Sequence, residues 1–130
     1  MTWFMHLAGS ELREVCCEPG LVRLVFSAAW VQPERPVLGQ GDQHAFHRGV
    51  TWRLDQAGIQ GDVAAMRGRL TEGALTCAGR LVRAVSLPSC HFDGVTLTLV
   101  SAQGARLDIQ AKTLDVQVEP GATCFESMAC

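Results

Sequence analysis

Residues 95–111 decide the fold class, and they read Val-Thr-Leu-Thr-Leu-Val-Ser-Ala-Gln-Gly-Ala-Arg-Leu-Asp-Ile-Gln-Ala. Apolar and polar side chains alternate over 95–99 and again over 107–111, and Gly104 lies between the two runs. A period of two places successive side chains on opposite faces of a strand, and a short turn containing glycine joins two such strands. This stretch therefore predicts an antiparallel β-hairpin.

The positions of the apolar residues change parity after this hairpin. Leu114, Val116 and Val118 occupy even positions, whereas Leu107 and Ile109 occupy odd ones. A shift of one residue moves side chains to the other face of a strand. We therefore expect a bulge or a bend near Lys112-Thr113.

Strand patterns also fill the other parts of the chain. Residues 11–18 and 21–31 are strand candidates on either side of Pro19-Gly20, and residues 50–54 alternate again. The sequence thus predicts one β-rich domain over residues 1–130, an all-β fold built as an antiparallel sandwich or a partly open barrel.

The two ends of the chain share a pattern that is compatible with internal duplication of a ββ unit. The first copy would contain Gly9, Leu12, Val15, Gly20, Arg23, Leu24, Phe26, Ala28 and Val31, and the second Gly94, Leu97, Val100, Gly104, Arg106, Leu107, Ile109, Ala111 and Leu114. Any two hairpins can share such patterning, so both explanations stay open.

The middle of the chain has a short glycine period. Gly61, Gly68, Gly73 and Gly79 are each followed two residues later by an aliphatic residue, at intervals of 7, 5 and 6. Parallel β-helices use repeats of about this length, so a β-helix-like middle section is the alternative fold. The irregular intervals favour an ordinary series of strands.

Composition excludes several classes of protein. Hydrophobic residues make up 48% of the chain and charged residues 18%, which excludes a disordered chain. The formal net charge of −2 disfavours a strongly basic nucleic-acid binder and an acidic tail protein. No apolar run reaches the 18 or more residues of a membrane helix.

The six cysteines indicate a reducing compartment rather than a disulfide framework. They contain no Cys-x-x-Cys motif, the first residues do not resemble a signal peptide, and a chain of 130 residues can bury a core without cross-links. We therefore expect reduced thiols and a cytoplasmic protein. The cysteines are Cys16, Cys17, Cys77, Cys90, Cys124 and Cys130.

Histidines provide the candidate metal ligands. His44 and His47 lie three residues apart on a loop over 32–48 that is rich in Gly, Pro and His, and His91 follows Cys90. Imidazole binds divalent metals, and the pair resembles part of the cupin metal motif, although the His-x-His spacing and the downstream Glu are missing. The main expectation is that the chain binds no metal or cofactor; a divalent metal on these histidines is the alternative.

Arginines provide the candidate ligand-binding site. Residues 48–83 contain six Arg against three acidic residues, a local charge of +3. Arg69 and Arg80 each precede a Leu that should point inward, so both should point outward. We expect this basic centre to bind a small anion or the acidic 108–119 strand of a neighbouring subunit. The candidate residues are Arg53, Arg67, Arg69, Arg80 and Arg83.

No signature of catalysis occurs in the chain, because the phosphate-binding loop and the Gly-x-Ser-x-Gly elbow are both missing. We therefore expect a non-enzymatic binding or assembly module that forms a homo-oligomer, most simply a dimer, with Trp3, Phe4 and Trp30 as interface anchors. The alternative is a metal- or thiol-dependent small-molecule enzyme of cupin-like architecture.

Overall fold

A computed structural model describes residues 2–34 and 44–122, together with the backbone of 124–126. Its described residues form eleven strands and no helix, and every strand pairing is antiparallel. The strands are β1 (Trp3–Glu18), β2 (Leu21–Pro33), β3 (Ala45–His47), β4 (Val50–Asp55), β5 (Gly58–Gly61), β6 (Gly68–Cys77), β7 (Arg80–Val82), β8 (Val85–Leu87), β9 (Ser89–Ser101), β10 (Arg106–Val118) and β11 (Cys124–Glu126).

Six of these strands close into an antiparallel barrel in the order β1-β2-β4-β10-β9-β6. The final seam joins β6 to β1 through only two residue pairs, Arg69 with Glu11 and Gly68 with Leu12. Shorter strands lie outside this ring and pair with strands of the ring: β3 pairs with β2, β8 with β1, and β7 with β6. The all-β antiparallel prediction is confirmed, and the barrel is closed rather than partly open.

Two long hairpins, β1–β2 and β9–β10, supply four of the six barrel strands. In β10, Ile109 and Leu114 are both buried although their positions differ in parity. The β9–β10 register does not shift between them, and Gly94 at that level has φ +64°. The feature predicted near Lys112-Thr113 is therefore a bend that both strands share, with no extra residue in either.

The two hairpins run in opposite senses around the barrel. In the strand order, β2 follows β1 in one direction and β10 follows β9 in the other. Four antiparallel steps separate β1 from β9, so both strands run in the same direction while their hairpin partners lie on opposite sides, and no rotation of the barrel can superpose one hairpin on the other. Both hairpins bend at a glycine with positive φ, Gly9 and Gly94, but no rotational symmetry accompanies the shared sequence pattern.

The middle of the chain is not a β-helix. β5 pairs with β10, while β6 pairs with β9, β1 and β7, and all four pairings are antiparallel. The β-helix alternative is therefore wrong, because a parallel β-helix requires each strand to pair with the equivalent strand of the next turn. Three of the four glycines of the short period, Gly61, Gly68 and Gly79, instead have positive φ near strand ends.

The barrel interior is filled by a single cluster of buried hydrophobic residues. Trp52 of β4 is completely buried, and its ring packs against that of Phe26 at 5.8 Å between centroids. Among the described side chains, its indole N–H is the one buried polar group without a hydrogen-bond partner. Packing of this large ring against its neighbours therefore compensates for an unsatisfied donor.

The seam between β1 and β6 depends on a close contact at Gly73. A Cβ atom at this position would collide with the buried side chain of Leu7. We predict that Gly73→Ala lowers the free energy of unfolding by about 1–3 kcal/mol, because the added methyl overpacks the seam. Urea denaturation measures this change.

Gly58→Ala is the matched control for that substitution. A Cβ at Gly58 would have no atom within 4 Å, and its φ is not in the left-handed region. We expect its stability to stay within about 0.5 kcal/mol of the parent. Equal effects of the two substitutions would show that the Leu7 contact does not hold the seam.

Candidate functional site

A groove of about 680 Å³ lies on the outside of the barrel, across β1, β2, β4 and the end of β10. Four arginines and one glutamate are the charged residues of its lining, which gives a charge of four minus one, or +3. A concave surface lined by one sign of charge attracts counter-ions. The groove is the candidate site; its charged residues are Arg13, Arg23, Arg48, Arg53 and Glu119.

Arg23 and Arg53 occupy directly opposite positions on β2 and β4. The alternation of buried and exposed residues determines where both side chains point. Arg23 lies between the buried Val22 and Leu24, and Arg53 follows the buried Trp52. Their side chains must therefore leave the barrel on the same outer face. Like charges directly opposite each other destabilise a sheet unless they are neutralised.

Arg13 reaches the same groove through a β-bulge. The pairing of β1 with β2 shifts register between Leu12 and Glu14, so Arg13 is the additional residue of β1 at that point. It is exposed and lines the groove, and it has no ion pair or hydrogen bond among the described side chains. The bulge therefore adds a third guanidinium beside the Arg23–Arg53 pair.

Two turns form the far end of the groove, at Arg48-Gly49 and at Glu119-Pro120. The backbone N–H of Glu119 donates to the carbonyl of Gly49 at 2.8 Å. Gly49 has φ +72°, and a Cβ there would lie 2.8 Å from the Cβ of Ala122. Only glycine fits both the conformation and the contact, so it fixes the position of this end.

Weak ion pairs hold two of the groove arginines. Arg23 bonds Glu18 at 3.3 Å with side-chain exposures of 46% and 57%, and Arg53 bonds Asp55 at 3.3 Å with exposures of 53% and 36%. Exposed pairs of this kind stabilise a protein by at most about 1 kcal/mol. Both guanidiniums can therefore accept a stronger anion at little cost.

His91 lies between two carboxylates on the neighbouring strands β9 and β10. Its Nδ1 is 2.6 Å from Asp115 and its Nε2 is 2.9 Å from Asp93. The hydrogen bonds to Asp115 and then Asp93 raise the pKa of His91 above its ordinary value. Asp115 is also the cross-strand neighbour of Arg53, so the strand order places this carboxylate between His91 and that arginine.

Of the five arginines predicted as ligand-binding, Arg53 is the one that lines the groove. Arg69 lies near the start of β6, and Arg80 pairs with Cys77 at the other end of that strand, roughly 26 Å away at 3.3 Å per residue. Arg67 is exposed just before β6, and Arg83 follows β7. Strands β10 and β9 separate β4 from β6, so the five do not form one cluster.

The structure does not bring the three candidate metal-binding histidines together. His47 faces the interior and bonds the carbonyl of Arg48, whereas His44 stacks on Trp30 at 4.6 Å. His91 lies across the barrel with a carboxylate on each ring nitrogen. Among the described residues, no group of three or more His, Cys, Asp or Glu is arranged to hold a metal ion. Residues 35–43 of the predicted functional loop lie outside the described residues.

Trp30, predicted as an interface anchor, is occupied within the chain. One contact is the stacked His44 ring, and a second is the edge of Phe46 at 4.9 Å. Gly9 lies beneath the indole, where a Cβ would come within 3.4 Å of it. Trp30 therefore covers the bend of β1. The other two anchors, Trp3 and Phe4, are half-buried on β1.

The described cysteines do not form a reactive centre. Cys16, Cys17, Cys77 and Cys90 are all free, and the side chains of Cys124 and Cys130 lie outside the described residues. Burial raises the pKa of Cys90, which keeps its thiol protonated and weakly nucleophilic. Cys90 and His91 are consecutive on β9, so their side chains point to opposite faces.

Sequence reasoning missed the groove because its residues come from distant segments. Arg13 and Arg23 lie outside the 48–83 segment on which the charge argument rested. The available signal was the outward position of Arg23 and Arg53 between inward apolar residues. The pairing of β2 with β4, which makes them neighbours, has no short-range signal.

Comparison with protein-family models, with curated proteins and with solved structures gives no match to this chain. The described residues contain no helix long and apolar enough to cross a membrane. The groove and its charges are therefore the basis for any statement about function.

The His91 arrangement predicts a defined pH dependence. Because its pKa in the folded protein exceeds the ordinary value of 6.5, the contacts with Asp115 and Asp93 stabilise the fold fully below about pH 6.5. That stabilisation is lost as the pH rises through the raised pKa. NMR titration of the His91 ring should give a midpoint above 6.5.

Two substitutions check the cause of that shift. Asp115→Asn should lower the midpoint more than Asp93→Asn, since the contact with Asp115 is the shorter one. A midpoint at or below 6.5 in the parent protein would contradict the arrangement.

Proposed function

We propose that this protein is a non-enzymatic binding module whose groove takes an anionic ligand. The observation that carries the proposal is the direct opposition of Arg23 and Arg53, with Arg13 beside them and without a partner among the described side chains. Guanidiniums present forked donors that match the oxygens of an anion. A bound anion would relieve the repulsion between the opposed charges.

We also propose that the protein works in the cytoplasm as a homodimer. The free state of the four described cysteines supports a reducing compartment. Leu81, a large apolar side chain with 54% exposure on β7, supports a contact surface. The acidic 108–119 strand is a weaker partner for an arginine cluster, because Asp108 is bonded by Arg106 and Asp115 by His91.

Light scattering at micromolar concentration tests the dimer. We expect twice the chain mass of 14.0 kDa, and Leu81→Asp should shift the particle toward the monomer. A parent protein that scatters as a single chain would contradict this part of the proposal.

Thermal unfolding tests anion binding. A ligand at ten times its dissociation constant stabilises a protein by about 1.4 kcal/mol, or about 3–6 °C for a domain of this size. We expect phosphate or sulfate to raise the melting temperature by this amount relative to chloride at equal ionic strength. Arg23→Ala with Arg53→Ala should abolish the rise.

Arg69→Ala with Arg80→Ala is the matched control, since it removes the same charge from exposed positions outside the groove. This variant should retain the full rise in melting temperature. If it loses the rise and the groove variant keeps it, the anion binds at the basic segment predicted from sequence. If the parent protein shows no rise, the proposed function is wrong.

A further inference from the structure

We propose that the ligand of the groove is an organic phosphate monoester, with its single phosphoryl group bound between Arg23 and Arg53. This inference rests on the proposed function, because it names the chemical class of anion that the groove takes. It follows from the donors available at the arginine pair, the pairing of the strands beneath it, and the charges along the groove.

The arginine pair favours a phosphoryl group over a carboxylate. Each guanidinium already donates some of its N–H groups to a carboxylate. Nη2 of Arg23 donates to Glu18, and Nε and Nη2 of Arg53 donate to Asp55. The remaining N–H groups belong to two opposed side chains. A phosphoryl group has three charged acceptor oxygens and nearly two negative charges, so it can bond both forks at once.

The strands beneath the groove disfavour an extended acidic peptide. β2 is paired with β1 and with β4, and β4 is paired with β2 and with β10. Under the arginine pair, β2 and β4 therefore offer no unpaired backbone edge to which a peptide could add as a strand. Side chains must provide the recognition, and the charged side chains that line the groove at this end are guanidiniums.

The length of the groove indicates an organic body attached to the phosphoryl group. From Arg53 to Val50, the first residue of β4, is roughly 10 Å at 3.3 Å per residue, and the turn at Arg48-Gly49 lies beyond it. Val25, Thr51 and Val118 line this part, and the total volume of about 680 Å³ is in the range of sites for small organic ligands. A lone oxyanion would leave most of this surface without contacts.

The far end of the groove disfavours a second phosphoryl group. Arg48 and Glu119 both line this end, so one positive and one negative charge give it a net charge of zero. The arginine end contains Arg13 and the opposed pair; Glu18 and Asp55 bond the pair, Asp115 lies opposite Arg53, and Glu11 bonds Ser27 of the lining. Three guanidiniums line this end against one at the other, so a single anionic head is favoured there and polyphosphates are disfavoured.

Isothermal titration calorimetry with four probes tests the inference in 0.15 M chloride. The probes are phenyl phosphate, benzoate, inorganic phosphate and tripolyphosphate. We expect phenyl phosphate to bind at least about tenfold more tightly than benzoate and several-fold more tightly than inorganic phosphate. Tripolyphosphate should bind no more tightly than phenyl phosphate.

Variants assign these preferences to residues. Arg23→Lys with Arg53→Lys keeps the charge but removes the forks, and should weaken phenyl phosphate binding by about tenfold. Arg69→Lys with Arg80→Lys is its matched control and should leave binding unchanged. Glu119→Gln should strengthen tripolyphosphate binding several-fold while changing phenyl phosphate binding less than about twofold.

Each contrary result has a distinct meaning. If benzoate binds as tightly as phenyl phosphate, or inorganic phosphate does, the monoester inference is overturned while anion binding by the groove stands. If tripolyphosphate binds most tightly in the parent protein, the single-head claim is overturned. If no probe binds, both the inference and the proposed function are wrong.

Discussion

Closure of the barrel through β1 is the constraint on which the other features depend. β1 pairs with β2 along most of its length, but its opposite edge divides between β8 in its first half and β6 in its second. Gly9, with φ +92°, lies between these halves and allows the bend, and Trp30 covers it. A six-stranded sheet closes only if its first and last strands pair, and bends and bulges supply the curvature that this requires.

The closed ring determines what kind of recognition the molecule can perform. β2 and β4 are each paired on both sides, so a partner cannot add a strand to either of them and the outer side chains must make the contacts. The bulge at Arg13 and the pairing of β2 with β4 then place three guanidiniums on one surface. The turn at Gly49 closes one end of that surface, which is therefore a groove.

Local sequence pattern was sufficient for much of the long strands and for the bend in β10. The alternation over 95–99 and 107–111 marks β9 and β10, and the change of parity after Ala111 marks the shared bend at Gly94. Closure of the barrel could not be predicted from the sequence, because the β6–β1 seam contains only two residue pairs and connects segments almost sixty residues apart. Pairing across such a distance leaves no periodic trace in the chain.

The same limit applied to the candidate site. The sequence named Arg53 among five candidate arginines, but it predicted an outward position for Arg69 and Arg80, which the strand order places elsewhere. Arg13 was hidden by the bulge, since regular alternation does not predict which residue of β1 is the additional one. Charge counted along the chain therefore identified a basic segment, whereas charge counted across strands identified the groove.

Binding of an anion between β2 and β4 can be followed residue by residue in a two-dimensional ¹H–¹⁵N NMR titration with phenyl phosphate. We expect saturable shifts of the amide signals of Arg13, Arg23, Thr51 and Arg53, with the signals of Arg69 and Arg80 unmoved. Shifts centred on β6 and β7, or no saturable shift at all, would contradict it.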